Sequence, residues 1–125
     1  MSRISFHVLR IGAAITFLWI GILILSDPQG WTGFIRPWAA DILPISLLKL
    51  MTSVAFFDIF AGIFLLVNYY TWLAALLGSF HLALVLIVSG VNAITVRDIG
   101  LLTGTVAIFI SSAEKSKILS RLIKV

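Results

Sequence analysis

Cysteine is absent from this chain, and charge is scarce. The first absence excludes disulfides, thiol redox chemistry and Cys-ligated zinc or iron–sulfur sites. The second excludes an ordinary soluble globule. Only 11% of the 125 residues are charged while 61% are hydrophobic, against about a quarter charged in soluble domains. Other signatures are missing too. No phosphate-binding glycine loop, no HExxH and no nucleophile elbow occurs. His7 and His81 are the only histidines, and no metal or haem site is expected from them, with axial ligation across helices the alternative. The net charge of +4 has no basic, aromatic-interleaved stretch behind it, so no nucleic-acid partner is expected.

What is present is a set of apolar runs. They cover about 4–25, 45–67 and 71–88, with a shorter fourth whose ends reach 97–112. At 1.5 Å per residue, about 20 residues cross a hydrocarbon layer. The runs are continuous rather than alternating, and lipid forces each backbone to satisfy its own hydrogen bonds, so helices are predicted rather than strands. The expected fold is all-α: an integral membrane four-helix bundle forming a single domain over 1–125.

The links between runs carry their own signals. Between the first two, Pro28, Gly30, Gly33, Pro37 and Pro44 punctuate the chain, and Trp31, Phe34 and Trp38 recur at helical spacing. Indole rings favour the headgroup zone, which predicts a short interfacial segment. The link "NYYT" is tight, so the second and third helices are expected to form an antiparallel hairpin. The tail 113–125 sorts apolar and basic residues onto different faces and is predicted to lie on an anionic leaflet. An even number of spans puts both termini on one side. Six basic residues there against three on the other predict a plasma-membrane (inner-membrane) protein with cytoplasmic termini.

Asp58 stands out because it interrupts "TSVAFFDIFAGIFLLV". It lies thirteen residues past Ile45, about 20 Å along its helix. His81 lies ten residues past Thr71, about 15 Å along the next helix. Both therefore fall near the midplane. A mid-span carboxylate costs roughly 2.5–3.5 kcal/mol on insertion scales and needs a partner, a cavity or a proton. An imidazole next to it shares a hydrogen bond with the carboxyl or accepts its proton to form an ion pair, so Asp58 and His81 are the candidate catalytic, proton-handling pair. The alternative is an interhelical hydrogen bond that only glues two helices.

Arg10 and Phe17 share one face of the first helix with His7, Ala14 and Gly21. If that face looks inward, Arg10 meets a polar ligand group; otherwise it snorkels to the interface. Asp98, near the start of the fourth helix, fits the helix dipole as a cap. Thr105, seven residues on, offers a hydroxyl inside the bundle. Gly100 with Gly104, Ala74 with Gly78, and Asp58 with Gly62 are small-residue spacings that permit close helix approach, and Gly62 also leaves room for a flat ligand.

The stretches "LRIGAAITFLWIGILIL", "FFDIFAGIFLLV" and "VRDIGLLTGTVAIFI" resemble the DoxX family of small four-helix membrane proteins. On that resemblance Arg10, Gly21, Asp58 and Gly62 occupy the family's recurrent positions. The chain departs from it in having no Lys soon after the first helix and Asp rather than Glu in the second. The resemblance implies a membrane bundle associated with quinone-linked oxidoreduction. The expected protein is an accessory or subunit of such a system, with a lipophilic ligand held by Arg10, Phe17, Gly21, Gly62 and Thr105. No motif encodes a cofactor; quinone is the expected ligand, and a redox partner protein or homo-oligomer the expected company. A small proton-coupled transporter or lipid-binding protein, and a purely structural subunit of a membrane complex, are the alternatives.

Overall fold

In a computed structural model, described for residues 1–93 and 95–115, each apolar run forms a helix. The first, α1, covers Arg3–Ser26; Ser2 caps it by accepting a hydrogen bond from the Ser5 N–H at 3.1 Å. It stops at Asp27, whose backbone is non-helical because Pro28 disfavours a helical residue before it. Asp27 then caps α2 (Pro28–Trp31) through the Gly30 N–H, and a 3₁₀ turn follows over Thr32–Phe34. A further short helix, α3, spans Pro37–Ile42. Proline opens both short helices, where its missing N–H costs nothing. The expected interfacial segment is thus two short helices joined by a tighter turn.

The second long helix, α4 (Leu47–Val67), is capped by Ser46 and ends at Asn68, whose φ of 57° is left-handed. Tyr70 is also left-handed, at 49°, and α5 (Thr71–Ser89) starts directly after it. Two such residues within three positions reverse the chain sharply, as the short link predicts. The last helix, α6 (Val96–Lys115), is longer than the 97–112 expected from hydropathy. It carries the chain helically into the proposed surface tail; the rest of that tail lies outside the described residues. Four helices, α1, α4, α5 and α6, are long and apolar enough to cross a membrane, which makes this a multi-pass membrane protein.

The long helices pack in two intimate pairs, α1 with α4 and α5 with α6. The hairpin partners α4 and α5 touch less. Glycine explains the first pair. A Cβ on Gly62 would stand 3.0 Å from the Ala14 carbonyl oxygen, and one on Gly21 would stand 2.9 Å from that of Ala55. Neither fits, so the two backbones lie closer than any side chain permits. Gly100 meets no neighbour, so the "GLLTG" spacing in α6 is not a packing pair. Small buried residues (Ala13, Ala14, Ala55, Ala61, Ala74, Ala75) fill the interior around the ring of Phe17. Large residues such as Trp19, Phe56, Phe60, Phe80 and Leu84 face outward, as lipid-facing surfaces require.

Candidate functional site

The looser contact between the two helix pairs leaves a cavity of about 70 Å³ in the half of the bundle nearest 27–46 and 90–95, here called the loop end. One water needs only about 10–15 Å³ on the same measure, so the space suits several waters or one ring-sized group. All four long helices contribute to it, and the loop supplies a roof of Trp31, Phe34 and Ile35. The Trp31 and Phe34 rings lean on each other at 5.3 Å. Arg36 fastens the roof to α5: its N–H donates to the Val88 carbonyl at 3.1 Å and its Nε to that of Ser89 at 3.3 Å. A cation at a helix C-terminus is electrostatically favoured, and these carbonyls lack partners within the helix.

Asp58 and His81 line this cavity. Asp58 is 4% exposed, and its Oδ1 lies 3.2 Å from His81 Nε2. That distance lets the two groups share charge, yet no donor is aligned on Oδ1 as a hydrogen bond. Phe57 braces the imidazole, with ring centroids 4.7 Å apart. The Phe17 ring forms part of the cavity wall and lies over Gly78, where a Cβ would stand 3.1 Å from it.

A second acid joins them. Asp98, 7% exposed, turns into the same cavity from the first turn of α6, within electrostatic reach of both Asp58 and His81. Its Oδ1 is 3.9 Å from Arg97 Nε, and Arg97 is partly exposed at the mouth. Just ahead of α6, Asn92 Oδ1 accepts from the Thr95 N–H, and Thr95 Oγ1 accepts from the Asn92 N–H, each at 3.0 Å. Asp98 stands in the first turn of α6, where the helix dipole favours an acid as expected, and it also lines the cavity. Among the described residues no three His, Asp or Glu side chains close on one point as metal ligands would.

The remaining candidates lie elsewhere. Arg10 is buried at the opposite end, where its guanidinium donates to the Leu65 and Leu66 carbonyls at 2.6 and 2.7 Å and to His7 Nδ1 at 3.2 Å. It ties α1 to the C-terminal end of α4. Gly21 and Gly62 sit in the α1–α4 contact. Thr105 is fully buried, accepts from Ser79 Oγ at 2.9 Å and donates to the Leu102 carbonyl, joining α5 to α6. The cavity thus unites Phe17, Asp58 and His81 of the candidate site residues with Trp31 and Phe34 of the expected interfacial segment, Arg97 and Asp98. Asp98 was marked in the sequence by its place at the start of a span, which points to the helix dipole rather than to a site.

No curated protein and no solved structure matches the chain. A family model described as DoxX matches residues 5–88, which takes in the first three spans, the roof, and both Asp58 and His81. The chain belongs to the DoxX family.

Proposed function

We propose that this protein is a small membrane component of a quinone-linked redox system, binding the head group of a lipophilic ligand in the loop-end cavity. One observation carries the reading: a buried acid, Asp58, and an imidazole 3.2 Å from it, His81, line a ring-sized space walled by aromatic side chains. Such a pair accepts and returns a proton at modest cost, because each group stabilises the charge the other acquires. Phe17, Trp31 and Phe34 supply faces for a ring and keep the deep end dry. The quinone supplies the electron chemistry, and a redox partner protein completes it; the residues of this chain bind, orient and exchange the proton. In this reading the chain is one domain in the plasma membrane with both termini cytoplasmic, so the cavity opens toward the outer leaflet.

The test is quinone content. Protein extracted with its native lipid should carry close to one quinone per chain. Asp58→Leu should lose it, and Phe80→Ala, on the lipid-facing surface, should keep it. Extracts without quinone would end the reading.

A second reading is favoured by Asp98. Two buried acids in one cavity also suit a proton-coupled transporter, in which a substrate and protons compete for carboxylates. Proton-driven tracer uptake into proteoliposomes that Asp58→Asn abolishes would select it.

A further inference from the structure

A proton held by Asp58 and His81 needs a way in and out, and the two ends of the bundle differ in what they offer it. Toward the end that carries Arg10, the interior is filled by the buried side chains of Ala14, Leu65, Ala75 and Ile108. Polar side chains placed there are engaged. Ser79 and Thr105 bond to each other and to helix carbonyls, and Arg10 bonds to the carbonyls of Leu65 and Leu66. Close-packed apolar side chains give a proton no carrier, and moving charge through them is costly. Toward the loop end the pair faces the cavity. Charged or titratable side chains reach it from α4 (Asp58), α5 (His81) and α6 (Arg97 and Asp98), while α1 brings only apolar ones. Arg36 of the roof is directed to the last carbonyls of α5. The pair meets the cavity through its imidazole: the His81 side chain is 17% exposed and that of Asp58 5%.

We infer that Asp98 is the relay through which the buried pair exchanges its proton, and that the exchange runs to the loop-end side alone. Asp98 lies in the first turn of α6 and His81 well inside α5, so helical rise sets the acid about 9 Å nearer the loop end. Asp98 lines the same space, within electrostatic reach of both members of the pair. Its Oδ1 lies 3.9 Å from Nε of Arg97, which is 43% exposed and holds the carboxylate at the mouth. A proton leaving Asp58 crosses to His81, passes along waters of the ligand-free cavity to the Asp98 carboxylate, and departs from there to bulk water. Each carrier gives up the proton it received, and uptake reverses the order. A carboxyl stationed between a buried pair and water divides one long transfer into short ones. This route requires that the pair handle a proton, as in the function proposed, and it is the same whichever ligand fills the cavity.

The experiment is infrared pH-jump spectroscopy of the full chain in quinone-free proteoliposomes, with pH changed on one side at a time and a label on Gln29→Cys reporting orientation. The Asp58 carboxyl band, assigned by its absence in Asp58→Asn, should follow pH on the loop-end side and ignore pH on the other. Asp98→Asn should slow that response by about 100-fold, the scale of a positioned proton carrier, while the band still reaches its endpoint. Asp98→Glu should restore the rate, which a merely structural role would not predict. Phe80→Ala, on the lipid-facing surface, should match the unaltered protein. A response to both sides, or to the far side alone, overturns the inference and leaves a proton-handling pair standing. An unchanged rate in folded Asp98→Asn overturns the relay. A pair whose protonation answers pH from neither side overturns both this route and the proton chemistry of the proposed function. Should Asp98→Asn fail to fold by circular dichroism, a bulky thiol label decides. On Arg97→Cys at the mouth it should slow the response several-fold, and on the exposed Tyr69→Cys at the opposite end it should not. Equal rates for the two labelled proteins overturn the inference.

Discussion

Asp58 and His81 stand on the two arms of the α4–α5 hairpin, with Oδ1 and Nε2 3.2 Å apart at the level where those arms separate around a cavity. In the proposed reading the pair is more than an interhelical tie. A tie needs no empty space beside it, and a carboxylate used only for packing would have its oxygens matched with donors. Replacing Asp58 by Leu should release bound ligand while leaving the helical content intact. Phe80→Ala, which alters a lipid-facing ring of α5, should do neither. Mass spectrometry of ligand carried through purification, together with circular dichroism, checks the contrast.

Arg10 answers to stability rather than ligand. Its two short bonds to the Leu65 and Leu66 carbonyls close the end of α4. Arg10→Leu removes charge-assisted bonds that contribute about 1.5–3 kcal/mol each; the Leu65 carbonyl keeps the Asn68 N–H, while the partly buried Leu66 carbonyl loses this donor. The expected outcome is a markedly lower melting temperature, with ligand content unchanged in the protein that remains folded. Loss of ligand at unchanged stability would contradict this role.

The glycines make a paired prediction. Gly62→Ala places a methyl group 3.0 Å from the Ala14 carbonyl and should destabilise the α1–α4 contact by about 1–3 kcal/mol through overpacking. Gly100→Ala meets nothing and should be neutral or slightly stabilising, since alanine favours helix more than glycine by about 1 kcal/mol. Reversible unfolding in mixed micelles measures both.

The roof is held by Arg36 on the last carbonyls of α5. The chain has no cysteine, so a single Phe34→Cys reports on the roof without background. Adding Arg36→Ala should raise its labelling rate by a thiol reagent several-fold, as one pinning contact is lost. An unchanged rate would show that Trp31 and the α2 contacts hold the roof without it.

Topology is testable with the same chemistry. The helix order places Ser2 and Tyr69 at one end of the bundle and Gln29 at the other. Single cysteines at 2 and 69 should react with an impermeant reagent only from the cytoplasmic face, and one at 29 only from the outside. Labelling of all three from one face would overturn the proposed orientation.

Hydropathy alone determined the four spans, because a lipid environment leaves helices as the only way to satisfy the backbone. It also placed Asp58 and His81 at similar depth, since helical rise converts residue number directly into distance. Proline and glycine marked the roof segment, because their backbone preferences are local. What sequence left undecided was rotation: which face of each helix meets which neighbour. Arg10, Gly21, Gly62 and Thr105 carry signals equally compatible with a ligand and with a helix contact, and only the packing assigned them to contacts. Asp98 carries the signal of a helix start, and only the packing of α6 against the other helices brings it to the cavity. The cavity itself exists because α1 binds α4 and α5 binds α6 more closely than the hairpin arms bind each other. That choice depends on the fit of side chains far apart in the chain, which no local pattern records.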